Sequence, residues 1–139
     1  MGLVYADIEI VNADDLALNR RGFLARDEIK SITVRALVDS GAYMLAINEH
    51  IKAELDLPFI QEQEAELADG THQTFEIVGP VDVRFENRST TVRAMVLPGA
   101  AEVLLGNIPM EDMDVLIDPR RQQLIVNPET PLRARKSLK

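Results

Sequence analysis

An acid, a hydroxyl and a glycine stand together at Asp39-Ser40-Gly41, directly after the apolar run Ala36-Leu37-Val38 and just before Ala42. A carboxylate delivered by the end of a strand is fixed to a rigid element, which is what a catalytic group needs. The same residues also make an ordinary turn, because Asp and Ser bond their own backbone and glycine takes positive φ without a clash. Both readings stay open on these residues alone. Later in the chain, Val103-Leu104-Leu105-Gly106 offers a short apolar strand that ends in glycine and runs into a helix, as if the backbone had to pass close beneath something. By itself that stretch reads as core.

The elements that must position these residues follow from the apolar spacing. Leu3 to Val11 alternates and reads as a first strand. Asn12 to Glu28 holds turn chemistry around weakly apolar pieces and reads as a surface excursion. Ile32, Val34, Ala36 and Val38 recur at period two, so a strand over 29–38 delivers the chain to Asp39. Tyr43 to Ile47 reads as a short buried strand, after which Asn48 caps a helix over Glu49 to Leu57 that stops before Pro58. Glu64 to Ala68 and Gln73 to Glu86 form a hairpin around Asp69-Gly70, and Gly79-Pro80 marks a bulge or an edge in its return strand. Thr90 to Leu97 is a further strand, and a turn or two of helix falls near Ile108 to Asp114. Val115 to Ile117 and Gln122 to Val126 flank the turn Asp118 to Arg121. Short strands joined by turns, with one or two short helices, predict an all-β barrel or sandwich.

Composition narrows the chemistry. The 139 residues suit a single domain over 1–139, with its core at about 29–126 and a tail at 127–139. There are no cysteines, and His50 and His72 stand far apart, so thiol catalysis and a histidine-rich metal site are excluded and no cofactor is implied. A net charge of −8 argues against a nucleic-acid partner. No apolar run approaches the roughly 20 residues of a membrane helix, and the first residues carry no signal-peptide pattern, so the cytoplasm is the expected location. The basic cluster Arg133 to Lys139 reads as a frayed, solvated end. Glu62, Glu64 and Glu66, like Glu111, Asp112 and Asp114, read as solvated surface. Asp118 before Pro119 reads as a turn, and His72 as an exposed loop histidine beside the hairpin tip.

Taken together, the apolar-Asp-Ser-Gly-Ala loop, the hairpin with a glycine tip, and the late Leu104-Leu105-Gly106 strand before a helix resemble the retropepsin-like (clan AA) aspartic peptidases over roughly Ile29 to Val126. The resemblance implies a retropepsin-like acid-protease barrel of the single-domain, homodimeric type. Asp39 would be the catalytic acid, Ser40 the hydroxyl that locks two loops together across the dimer, and Gly41 the position against bound substrate. Ala42 completes the loop. Leu104, Leu105 and Gly106 would thread behind the loop and brace it. Asp69, Gly70 and Thr71 would tip the flap that closes over a peptide.

Peptide hydrolysis by carboxylates takes one group as base and a second as acid. The chain has a single Asp-Ser-Gly, so two-fold symmetry must bring a second Asp39. The expected partners are therefore a second copy and a peptide or protein substrate. Two departures stand out: many viral relatives carry an acidic residue after the Ala and an Arg after the later glycine, where this chain has Tyr43 and Asn107. The rival readings are a catalytically silent peptide-binding or assembly module on the same fold, and a β-barrel carrier in which Asp-Ser-Gly is only a turn.

Overall fold

The computed structural model describes residues 2–138, so Met1 and Lys139, the two ends of the expected domain, lie outside the described residues. Among the described residues nine strands run in chain order as β1 (Tyr5–Asn12), β2 (Ser31–Val38), β3 (Leu45–Asn48), β4 (Phe59–Glu66), β5 (His72–Phe85), β6 (Arg88–Leu97), β7 (Leu104–Leu105), β8 (Val115–Asp118) and β9 (Gln123–Val126). These residues also form three short α-helices, α1 (Ala13–Arg20), α2 (Glu49–Glu54) and α3 (Asn107–Met113), with one 3-10 turn at Arg26–Glu28.

Seven strands form one sheet in the order β1-β2-β7-β3-β6-β5-β4, and a further pairing of β1 with β5 closes it into a ring. Ile10 shows the closure at a single position, lying opposite Ile32 of β2 on one side and Val83 of β5 on the other. A mostly-β chain with a ring of strands is the all-β class that the strand pattern predicts. The ring's interior is filled by Ile8, Ile10, Leu45, Ile47, Val78, Val81, Val83 and Leu105, each about 1% exposed or less. Because Ala6, Ile8 and Ile10 belong to this cluster, the packed core takes in β1, upstream of residue 29. β8 and β9 make a separate two-stranded sheet. Among the described residues no helix is long and apolar enough to cross a membrane.

Several elements depart from the sequence reading. The 12–28 excursion holds α1, making three short helices where one or two are expected. Only Ala13 and Asp15 of α1 are buried, so there is no apolar stripe to announce it. It rests instead on its cap: the Asn12 side chain accepts the Asp15 N–H at 3.0 Å, and Asp14 and Asp15 lie in the first turn, where acids complement the helix dipole. Asn48 caps α2 in the same way, its side chain accepting the Ile51 N–H at 3.0 Å. The β4–β5 hairpin is longer than predicted, since β4 begins at Phe59; its mostly exposed residues carry no alternating pattern. The register between β5 and β6 shifts between Val78 and Val81, so Gly79-Pro80 forms the expected bulge, with a cis peptide bond.

Among the described residues the tail is tied down, not frayed as predicted. Thr130 is buried, its carbonyl accepts from the buried Arg88 guanidinium, and its hydroxyl donates to Asp114 Oδ2 at 2.6 Å. Arg135 N–H donates to the same carboxylate at 3.0 Å, and Lys136 pairs with Asp112 at 3.1 Å. Asp112 and Asp114, read from the sequence as solvated surface, are the anchors that hold this strap.

Candidate active site

Asp39 follows the last residue of β2 and is half-buried. Its N–H donates to the Leu105 carbonyl at 3.0 Å, which joins the base of the loop to β7. Gly41 N–H donates to Asp39 Oδ1 at 2.9 Å, and Ala42 N–H donates to the Asp39 carbonyl at 3.1 Å, so the loop wraps around its own carboxylate. A Cβ at Gly41 would stand 3.2 Å from Asp39 Oδ1, and glycine leaves that contact uncrowded. Ser40 is exposed beside it.

The brace behind the loop is the short apolar strand that the sequence singled out. β7 lies between β2 and β3, with Leu104 opposite Leu37 on one side and Ala46 on the other, and Leu105 opposite Val38. Gly106 then passes against the far end of the loop. A Cβ there would sit 2.9 Å from both Ala42 O and Met44 N and closer still to Met44 O, so only glycine fits. Past this point Asn107 N–H donates to Ala42 O at 2.9 Å and Ile108 N–H to Tyr43 O at 3.0 Å. The Asn107 side-chain amide donates to Ser40 O at 2.7 Å. Asn107, visible in the sequence only as the place of a missing Arg, is thus part of the support. On the other flank, Glu102 beside Tyr5 pushes the phenol of Tyr5 up.

The loop opens onto a cleft of about 480 Å³. Gly41 and Ala42 form one wall, Met44, Ala46, Met95, Leu97 and Leu104 an apolar floor, and Gln63 to Glu66 of β4 the opposite wall. The volume falls in the range of pockets that bind small ligands or a few residues of peptide. The expected flap residues Asp69, Gly70 and Thr71 do form the hairpin tip, but the stretch that lines the cleft is Gln63 to Glu66. Gln63 lies opposite the buried Phe75 across the hairpin and Ala65 opposite Gln73, so this pair shares the face of the hairpin that carries Phe75. Glu64 and Glu66 share the other side with His72, whose two ring nitrogens lie 3.6 and 3.5 Å from their carboxylates. The period-two pattern of β5 carried that signal; extending it to β4 required the register.

At the tip, Asp69 Oδ1 accepts from both the N–H of Thr71 at 3.0 Å and its hydroxyl at 2.6 Å. These bonds, the hydroxyl's first, hold the Asp69 carboxyl below the usual range. Gly70 takes φ +87°, a left-handed conformation that favours glycine. Among the described residues no group of three or more His, Asp or Glu is placed to hold a metal ion.

The arrangement is one carboxylate at a strand end, supported from behind by a glycine-tight strand, in a loop whose next residues, Gly41 and Ala42, line a largely apolar cleft beside a hairpin. No curated protein matches the chain. The family described as "gag-polyprotein putative aspartyl protease" matches residues 26–112, a span that holds Asp39, the whole β4–β5 hairpin, β7 and Gly106. With well over half of its length matched in this way, the chain belongs to that retropepsin-like family of aspartyl proteases.

Proposed function

We propose that the protein is an aspartic endopeptidase acting as a homodimer, in which the Asp39 carboxylates of two copies meet across a two-fold axis. The observation that carries the reading is the placement of Asp39, at the rigid end of β2 with its loop bound to β7, beside an apolar-floored cleft. One such carboxylate cannot be base and acid at once, and the sequence holds no second Asp-Ser-Gly.

Two carboxylates brought within hydrogen-bond reach share a single proton, as the aspartic proteases illustrate. The ionised member takes a proton from water as the water oxygen bonds to the peptide carbonyl carbon. The protonated member gives its proton to the carbonyl oxygen. Collapse of the resulting diol breaks the C–N bond, with one proton returned to the departing amine and one to the carboxylate pair. Ser40 supports the pairing of the loops, and Gly41 lies against the substrate backbone. The β4–β5 hairpin closes over an extended peptide and excludes water.

The test compares wild type with Asp39→Asn on a diverse peptide mixture from mildly acidic to neutral pH, read by mass spectrometry, with sedimentation run on both. Cleavage by a dimeric wild type and a loss of about 10³-fold or more in the variant is the expected result. A protein that stays monomeric at high concentration, or cleavage that survives in Asp39→Asn, would overturn it. A dimer that binds peptides and cuts none would be the silent binding module.

A further inference from the structure

The Ser40–Gly41 peptide unit is gripped at both ends. Its carbonyl, on Ser40, accepts from the Asn107 side chain at 2.7 Å, and its N–H, on Gly41, donates to Asp39 Oδ1 at 2.9 Å. A peptide unit is planar and turns as one body, so a donor holding its oxygen also fixes the direction of its N–H. The two bonds also polarise one another, because charge drawn to the carbonyl oxygen makes the N–H a better donor. We propose that Asn107 is a positioning residue for Asp39, acting through the Ser40–Gly41 peptide plane to set the orientation of the carboxylate. This inference rests on the reading of Asp39 as the catalytic acid.

The local geometry favours this route over a general stiffening of the loop. Asn107 is held by its own N–H, which donates to Ala42 O at 2.9 Å, and the next residue is held through Tyr43 O at 3.0 Å. The Asn107 Cα is therefore fixed against the loop by the backbone, whatever its side chain. The amide adds one contact, to Ser40 alone. Gly106 brings the two segments close enough for that reach, since no Cβ fits between them. The positions where many viral relatives carry an acid and an Arg hold Tyr43 and Asn107, and Tyr43 is 73% exposed. A neutral hydrogen bond to the loop backbone thus occupies the place of an ion pair.

The experiment uses the full-length protein with Asn107→Ala and the isosteric Asn107→Asp, read by amide exchange at Gly41 and by peptide cleavage. Asn107→Ala should speed Gly41 exchange about tenfold, the change that loss of one hydrogen bond brings. It should lower kcat about tenfold, with KM within about twofold of wild type, because orientation and not binding is lost. Asn107→Asp has a more specific signature. An ionised carboxylate cannot donate to the Ser40 carbonyl, whereas a protonated one can. Its kcat relative to wild type should therefore recover as the pH falls below about 4. Unchanged Gly41 exchange in Asn107→Ala, or a relative rate for Asn107→Asp that does not vary with pH, would overturn the proposal. Wild type that cuts no peptide would defeat the catalytic reading instead, while Gly41 exchange would still decide whether Asn107 orients the loop.

Discussion

The side-chain amide of Asn12 donates to the Leu55 carbonyl at 2.9 Å, across 43 residues of sequence, while its oxygen caps α1. One buried side chain therefore starts one helix and satisfies the end of another, since Leu55 is the residue that closes α2. Asn12→Ala would remove the cap and leave a buried carbonyl without its donor. A loss of about 2–3 kcal/mol is expected, read as a lower urea midpoint with an unchanged slope. Asn12→Asp keeps the cap but not the donor, and should fall between.

Gly106→Ala tests the brace. The added methyl would run into the backbone of Ala42 and Met44, which cannot move without shifting β3 or the Asp39 loop. The expected cost is about 3 kcal/mol, with activity lost even in the fraction that remains folded. Equilibrium unfolding together with activity per folded molecule would show both.

Acid should loosen the strap at the end of the chain. Asn127 and Thr130, with Arg135 N–H, hold the Asp114 carboxyl at about 2, below its ordinary 3.8, and the Thr90 hydroxyl lowers Asp112 as well. A carboxyl lowered by folding contributes stability that is fully present above its unfolded value and is lost as the pH drops through its folded value. The contribution of Asp114 should therefore fade between about pH 4 and pH 2. Asp114→Asn should flatten that part of the stability profile and expose 128–138 to proteolysis near neutral pH.

How much of this was legible follows from what kind of signal each part carried. β2 and Asp39 were readable because Ile32, Val34, Ala36 and Val38 alternate and end at turn residues, a local pattern. α1 was not, because the asparagine that begins it is the residue type that also begins turns, and its buried positions are only Ala13 and Asp15. The strap was missed for a different reason: Arg88, Asp114 and Thr130 are polar residues far apart in sequence, and only the folded chain shows that they satisfy one another. The support from Asn107 to Ser40 spans 67 residues and leaves no periodic trace.

Gly70→Ala addresses the hairpin tip. At φ +87° an alanine is strained, and the cost of about 1 kcal/mol should stay local to the tip. The amides of Leu67 and Gly70, which donate to Thr71 O and Leu67 O at 2.7 and 2.9 Å, should exchange faster while the global unfolding midpoint hardly moves. With the peptidase reading in place, KM should change more than kcat.

Closure of the seven-stranded sheet through β1 and β5 leaves β4 as its outlying strand, bonded to a neighbour on one side only. An unpaired strand edge is a template on which other chains can grow fibrils. In β4 that edge bears Glu62, Glu64 and Glu66 at alternate positions, so a second β4 laid alongside it would bring like charges together. Neutralising those three acids should let copies polymerise through the β4–β5 hairpin, seen as a rise in light scattering with time.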